Sequence, residues 1–175
     1  INRVVEVLLL MNQNSSGMTV TEISQQLNLP MSTTHRILTS LKKESFVIQD
    51  LHHQKRYRIG HGILRLAYGY LNHLDIRKVA KPYMDEISHK HENLVFLTIM
   101  ENVTPVCVDL SYISSRMRFY VDIGAEMPIN AAASAHAILA YKSKKEIELL
   151  LKGKPWKSYT EKTLVEEKDI IERLQ

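Results

Sequence analysis

The first part of the chain alternates between apolar positions at helical spacing and short polar breaks. Residues 2–12 carry apolar side chains at such spacing, and the turn-forming run 14–17 ends that segment. Thr19 and Glu22 match a capping box, in which the threonine hydroxyl and the glutamate carboxylate satisfy free backbone amides at the start of a helix. The pattern therefore predicts a first helix over 2–12, and a second that begins at Thr19 and ends before the break at 28–30.

A third helix is predicted to begin between Pro30 and Ser32 and to end near Glu44. At about 100° per residue, its two faces differ in chemistry. One face gathers the side chains that are expected to pack inward: Thr34, Ile37, Leu38 and Leu41. The opposite face carries small polar and basic side chains: Ser32, Arg36, Thr39 and Lys43, flanked by His35 and Ser40.

Two short strand-forming segments follow, at 46–49 and 55–59, joined by a polar connection at 50–54. The second segment alternates basic with apolar residues, as a half-exposed strand does. Three helices followed by a basic hairpin are the order of elements in a winged helix-turn-helix. We therefore predict a domain of this kind over residues 1–61.

The rest of the chain predicts helices and strands in mixed order. A linker helix is expected within 62–74, and an amphipathic helix follows it, with apolar residues at helical spacing from Ile76 to Ile87. The later segments are predicted as strands at 94–100, 105–110 and 117–123, then helices at 134–141, 144–152 and 166–174. The fold class is thus α+β: a mostly helical winged helix-turn-helix, joined by a helix to an α+β domain over 75–175 with an antiparallel sheet.

The net charge of +4 is concentrated at one end of the chain. Residues 1–65 hold eight Lys and Arg against four Asp and Glu, whereas the remaining residues hold fifteen of each. This excess favours a polyanionic partner for the first domain. The composition, 45% hydrophobic and 24% charged with no long apolar run, is that of a globular protein without a membrane span. A single cysteine, Cys107, leaves no internal disulfide, so we expect a reducing, cytoplasmic setting.

The outer face of the third helix carries the kinds of side chain that read bases. Hydroxyls bond to phosphates and base edges, and an arginine such as Arg36 can grip guanine with two hydrogen bonds. The second helix is expected to brace against the DNA backbone, and the basic hairpin to contact phosphates. The predicted DNA contacts are Thr21, Ser32, Thr33, Thr34, His35, Arg36, Thr39, Ser40 and Lys43, with Lys55, Arg56 and Arg58 on the hairpin.

Two other classes of function are weighed against DNA binding. The helix-turn-helix can instead serve dimerisation or protein interaction, without specific DNA reading. An enzyme is not favoured, because the sequence has no nucleophile–histidine–acid spacing, glycine-rich phosphate loop or metal-binding pattern. His89 and His91 are two residues apart on a helix and point in different directions, so they cannot chelate one ion together. We predict no catalytic residue, no metal and no cofactor.

The run from Met18 to Leu38, MTVTEISQQLNLPMSTTHRIL, resembles the DNA-binding domain of the IclR family of bacterial transcription regulators, and the likeness continues at 46–47, 57–60 and 121–129. The resemblance implies a GAF-like second domain, an antiparallel sheet with helices, that binds a small-molecule effector, often an organic or aromatic acid. It also implies a repressor or activator that binds palindromic promoter DNA as a homodimer or homotetramer. In that family the second domain continues further, so we expect it to be incomplete here.

The same resemblance puts the effector near residues 127–137. The chain departs there from the usual family run, with Asn130 in place of a histidine and Ala135–His136 in place of glycine–lysine. Small residues at a helix start let a ligand approach free backbone amides, which favour an anion. The expected effector contacts are Met127, Ala133 and Ser134, with Met117 and Phe119 as apolar walls. The alternative is that 131–137 is only a tightly packed helix start.

Overall fold

The structure is a computed structural model that describes residues 1–50, 55–112, 121–153 and 155–174. The chain divides into two compact units, Ile1–His73 and Leu74–Gln175. Within the described residues, no helix has the length and hydropathy needed to cross a membrane. Helices and antiparallel strands occur together, which confirms the α+β class predicted from the sequence.

The first unit combines four helices with a small antiparallel sheet. The helices are α1 (Asn2–Asn12), α2 (Val20–Gln26), α3 (Met31–Lys43) and α4 (Gly62–Asn72). The strands are β1 (Met18–Thr19), β2 (Val47–Gln49) and β3 (Arg56–Ile59), in the order β1-β3-β2. Met18 lies opposite Tyr57, and Val47 lies opposite Ile59. Strand β1 was not predicted, because two residues are too few to show the alternation of a strand.

The predicted capping box at the start of α2 is confirmed. The Thr19 Oγ1 accepts a hydrogen bond from the Glu22 amide at 3.2 Å, and the Glu22 Oε2 accepts one from the Thr19 amide at 2.6 Å. The core of the unit gathers apolar residues from α1, α2, α3, the turn between α2 and α3, and the sheet: Val7, Met11, Met18, Ile23, Leu29, Leu38, Leu41 and Val47. This core fixes which face of α3 points inward.

The turn between α2 and α3 is closed by two hydrogen bonds that join the same pair of residues. The Leu29 amide donates to the Ser24 carbonyl at 2.9 Å, and the Ser24 hydroxyl donates to the Leu29 carbonyl at 2.6 Å. Between them, Asn28 adopts a left-handed conformation with φ 49°, which asparagine tolerates better than most residues. Side chain and backbone together therefore set the geometry of the helix-turn-helix.

Two glycines allow the chain after β3 to pass close to the end of α3. A Cβ atom on Gly60 would lie 2.3 Å from the Ser45 carbonyl oxygen, and one on Gly62 would lie 2.6 Å from the Glu44 carbonyl oxygen. The Gly62 amide donates to the Ser45 carbonyl at 2.8 Å. A larger residue at either position would push these backbones apart.

The second unit begins with one long helix and a hairpin. Its elements are α5 (Asp75–His91), β4 (Val95–Glu101), β5 (Thr104–Ser111), α6 (Ala133–Leu139), α7 (Lys144–Leu151) and α8 (Glu167–Arg173). The two strands are antiparallel, with Val95 opposite Ser111 and Glu101 opposite Thr104. Helices α6, α7 and α8 share a core: Ile129, Ala135, Leu139, Ile147, Leu150, Leu151 and Ile170.

The strand predicted at 117–123 is wrong in its described part. Residues 121–123 are not a strand, and the other predicted positions, 117–120, lie outside the described residues. Instead, 125–127 runs beside β5: the Cys107 amide donates to the Ala125 carbonyl at 2.9 Å, and the Met127 amide donates to the Pro105 carbonyl at 2.7 Å. Backbone pairing with β5 therefore occurs a few residues later than the hydrophobic pattern indicates.

Polar contacts join α5 to β5. Arg77 Nε lies 3.0 Å from Asp109 Oδ2, Lys81 Nζ donates to the Leu110 carbonyl at 2.9 Å, and the Ser111 hydroxyl donates to the Asp85 carboxylate. Met84 and Ser88 are buried beside these contacts. Most of the regularly spaced apolar side chains of α5 are exposed instead: Ile76, Val79, Tyr83 and Ile87.

Candidate functional site

The outer face of α3 is a row of exposed polar and basic side chains. Helix α3 presents Thr34, Leu38 and Leu41 to the core. All six positions that the sequence puts on the opposite side are exposed: Ser32, His35, Arg36, Thr39, Ser40 and Lys43. The Ser40 hydroxyl donates to the Arg36 carbonyl at 3.0 Å, and no described residue forms a hydrogen bond or ion pair with the Arg36 guanidinium. This group is free to take a partner from outside the unit.

The prediction of Thr34 as a DNA contact is wrong. Thr34 has no exposed surface, and its hydroxyl donates to the Pro30 carbonyl at 3.2 Å. The hydroxyl is thus already hydrogen-bonded to the preceding turn, as threonine hydroxyls in helices commonly are. The neighbouring Thr33 is half-buried, at the border between the two faces.

The hairpin divides its basic residues between solvent and the protein interior. Lys55 and Arg58 are exposed. Arg56 instead donates from Nε and Nη2 to the Gly17 carbonyl at 3.2 and 2.9 Å, and its Nη2 lies 3.2 Å from Glu22 Oε1. Arg56 therefore holds β3 against the start of α2, whereas its charge had predicted a DNA contact. The hairpin tip, residues 51–54, lies outside the described residues.

Glu22 stands at the centre of this brace. The Thr19 amide and hydroxyl hold the pKa of the Glu22 carboxyl below its usual value, and the Arg56 charge adds to the effect. The carboxylate thus remains ionised and serves the capping box and the hairpin at once. Beside it, Thr21 and Lys55 lie on the rim of one cleft of about 280 Å³, with Gln49 and Tyr57. The structure brings these two predicted contacts together.

The described residues offer no support for metal or nucleophile chemistry. No three His, Cys, Asp or Glu side chains among them are grouped to hold a metal ion. Burial raises the pKa of the Cys107 thiol, so the reactive thiolate form is disfavoured. The His89 ring is hydrogen-bonded to the Asp85 carbonyl at 2.8 Å, one turn earlier on the same helix.

A second candidate site is a cleft of about 530 Å³ in the second unit. Met127 and Ala133 line it, as the predicted effector contacts would. Ser134 does not line it, and the Ser134 hydroxyl is buried with no hydrogen-bond partner among the described residues. Met117 and Phe119 lie outside the described residues. The structure thus brings together two of the five predicted effector contacts.

The opposite wall of this cleft was not predicted from the sequence. It consists of residues that lie more than 30 positions beyond Met127, which no local pattern connects to it: Tyr159, Thr160, Lys162, Thr163 and Arg173. The Ala131 and Ala132 amides, just before α6, both donate to the Pro128 carbonyl and so are not free for a ligand. Helix α6 is short, with seven residues, so its backbone amides are not the main source of positive charge in the cleft. The positive charge comes from the basic side chains that line it.

Two family models match the chain. "IclR helix-turn-helix domain" matches residues 1–51, and "Bacterial transcriptional regulator IclR C-terminal" matches residues 68–175. Both agree with the resemblance found in the sequence.

Three curated relatives illustrate the sequence similarity. The transcriptional regulator XynR of Escherichia coli is 25% identical over 174 residues, 99% of this chain. KipR of Bacillus subtilis is 29% identical over 136 residues, 78% of this chain, and the transcriptional repressor IclR of Escherichia coli is 27% identical over 157 residues, 87% of this chain. The matched region spans 69%, 54% and 56% of these three proteins, respectively.

Solved structures show the same fold. The IclR protein of Thermotoga maritima matches with a TM-score of 0.77 and 22% identity, over 99% of this chain and 69% of its own. An IclR homolog of Microbacterium hydrocarbonoxydans, solved in complex with 4-hydroxybenzoate, matches with a TM-score of 0.79 and 22% identity, over 98% of this chain and 70% of its own.

Proposed function

The chain belongs to the IclR family of bacterial transcriptional regulators, and from this premise we propose that it binds promoter DNA and that a small-molecule effector modulates the binding. The observation that carries the DNA-binding part is the exposed polar and basic face of α3, held outward by a buried face on the same helix. A protein that acts in this way works in the bacterial cytoplasm, where the DNA is. Its family consists of regulators, which are not enzymes.

The chemistry of the α3 face suits the major groove. Ser32 and His35 lie near the start of the helix, where a recognition helix approaches base edges, and Arg36 can donate two hydrogen bonds to guanine. Lys55 and Arg58 extend the basic surface on the hairpin and suit phosphate contacts. Arg56 supports this arrangement from within, because it fixes the hairpin to α2.

A salt titration on duplex DNA tests this part. Binding should weaken steeply with salt, with a log-log slope of about −0.9 for each phosphate that the protein neutralises. The binding sequence would first be selected from random duplexes. An intact protein that binds no duplex at ~50 mM salt would refute DNA binding and favour the alternative, a dimerisation or protein-interaction module.

Two substitutions separate base reading from phosphate contact. Arg36→Ala should weaken binding to the selected sequence by about 1–3 kcal/mol more than binding to random DNA, whereas Lys55→Ala should weaken both alike. Lys144→Ala, which removes an exposed lysine of the second unit, is the charge-matched control and should change neither affinity. Equal losses on both DNAs for Arg36→Ala would show that this face does not read bases.

We propose further that the protein binds DNA as a homodimer through α4. This helix exposes apolar side chains on more than one side, with exposed fractions from 44% at Tyr70 to 69% at Tyr68. Leu64 and Leu66, 68% and 62% exposed, lie two residues apart and therefore on different sides of the helix. Exposed apolar patches of this kind commonly mark protein–protein contacts, and a second copy would cover this one with the two-fold symmetry of a palindromic site. Sedimentation equilibrium of Leu64→Glu should then report monomers, and an unchanged dimer would refute this surface.

The effector is proposed to be an organic or aromatic acid bound in the 530 Å³ cleft. The cleft falls in the size range of small-molecule sites, and one structural neighbour was solved in complex with 4-hydroxybenzoate. A ligand that binds the folded protein raises its melting temperature, so a panel of such acids should contain at least one that does so. The same acid should change the affinity for the selected DNA; an acid that stabilises the protein and leaves this affinity unchanged would refute the regulatory role.

A further inference from the structure

Three basic residues and no acidic one line the cleft of the second unit, among the residues that the structure describes. His136 lies on α6, Lys162 in the loop before α8, and Arg173 in the last turn of α8. No Asp or Glu is among the described residues that line it. This segregation is local, because the sequence from residue 66 onward holds equal numbers of acidic and basic residues, fifteen of each.

The wall that carries Lys162 is held in place by hydrogen bonds. Asn130 is 4% exposed, and its Nδ2 donates to the Lys157 carbonyl at 3.1 Å and to the Leu164 carbonyl at 2.8 Å. Both ends of the loop are thus tied to one buried side chain of the opposite wall. Inside the loop, Thr163 Oγ1 accepts hydrogen bonds from two backbone amides, those of Tyr159 at 3.2 Å and Thr160 at 2.9 Å. The loop backbone that carries Lys162 is therefore held in place beside the cleft.

The cations of the cleft lack a counter-charge in the described part of the chain. Neither Lys162 nor Arg173 forms an ion pair there, although other lysines and arginines of the unit do, such as Lys81 with Asp85. Burial lowers the pKa of His136, and the Arg173 charge lowers it further, which favours the neutral imidazole and leaves Lys162 and Arg173 as the cations of the cleft. Lys162 and Arg173 therefore border one cleft as exposed cations, and an oxyanion bound in the cleft would supply the counter-charge.

We propose that this cleft binds the oxyanion group of a small molecule, a carboxylate or a phosphate, through the side chains of Arg173 and Lys162. Arginine suits this task because its planar fork matches the two oxygens of such a group. The Tyr159 ring, 52% exposed beside them, can cover an apolar part of the ligand. The inference rests on the effector part of the proposed function, since it names the groups that would hold the acid.

Isothermal titration with two simple probes, inorganic phosphate and malonate, tests the site at constant ionic strength set with sodium chloride. The variants are Arg173→Gln and Lys162→Gln, and the matched control is Lys168→Gln, which removes a lysine of α8 that lies outside the cleft. At least one probe should bind the wild type and the control alike, and about tenfold or more weaker to each cleft variant, because each loses a charge-assisted hydrogen bond. Each comparison requires that the circular dichroism spectrum of the variant match that of the wild type.

Three results would overturn the inference or separate it from the proposed function. Equal affinity in all four proteins would show an adventitious ion only, and so would overturn the site. No binding of either probe would also overturn the oxyanion site. The DNA-binding proposal would stand independently of that result if DNA binding still depends steeply on salt. Binding that is lost in Arg173→Gln but does not alter DNA affinity would support the oxyanion site and refute its role as the effector site.

Discussion

Replacing Ser24 with alanine is expected to destabilise the first unit and to weaken DNA binding. Ser24 is 8% exposed at the end of the α2 face that packs inward, and its hydroxyl donates to the Leu29 carbonyl at 2.6 Å. The Leu29 amide returns a bond to the Ser24 carbonyl at 2.9 Å. The substitution removes the first bond and keeps the second, so the turn loses one of its two closures.

The magnitude follows from burial. Leu29 is also 8% exposed, so its carbonyl gains little from water once the serine hydroxyl is gone. Leaving a buried acceptor without a partner costs about 1–3 kcal/mol in the free energy of unfolding. In a unit of this size, each kcal/mol lowers the melting temperature by roughly 4–8 °C. The loosened turn also lets α3 move relative to α2, which should reduce affinity for DNA.

Ser40→Ala is the matched control. The Ser40 hydroxyl also donates to a backbone carbonyl, that of Arg36 at 3.0 Å, but it is exposed on α3. Its loss should change the unfolding free energy by no more than about 0.5 kcal/mol. Urea unfolding followed by far-ultraviolet circular dichroism measures both variants. If Ser24→Ala costs no more than Ser40→Ala, the buried hydrogen bond does not hold the turn and the reasoning is refuted.

Three more predictions concern the same unit. Gly60→Ala should destabilise it, because the new Cβ would meet the Ser45 carbonyl. Gly69→Ala in α4, where a Cβ meets nothing within 4 Å, should stabilise it by up to about 1 kcal/mol. Thermal unfolding compares the two variants, and equal effects would contradict this prediction. Leu38→Ala should cost about 2–5 kcal/mol in urea unfolding, since Leu38 has no exposed surface, and a loss below about 1 kcal/mol would show that the site is not packed. The pKa of Glu22 is lower in the folded protein, so its contribution to the free energy of unfolding is full above the pKa of the unfolded chain and is lost as the pH falls through the folded pKa. Glu22→Gln should therefore flatten the acid dependence of the urea midpoint, and an unchanged pH profile would contradict this.

Local features of the sequence determined much of the first unit. The capping box needs only Thr19 and Glu22, three residues apart, and both of its hydrogen bonds form as predicted. The periodicity of α3 likewise separated its exposed face from its buried face, because a helix repeats every few residues whatever surrounds it. The same periodicity had put Thr34 on the inner face, so naming it as a DNA contact contradicted the pattern itself.

Contacts between distant parts of the chain were decided only by the tertiary structure. Arg56 bonds to the Gly17 carbonyl, 39 residues away, and so becomes a brace where its charge alone predicted a phosphate contact. Asn130 donates to the Leu164 carbonyl, 34 residues away, and so holds together two sides of a basic cleft that no local sequence pattern predicts. Spacing along the chain fixes which neighbours a residue has within a helix or strand. The partners of a buried or charged side chain depend on how the elements pack, and that is a property of the whole unit.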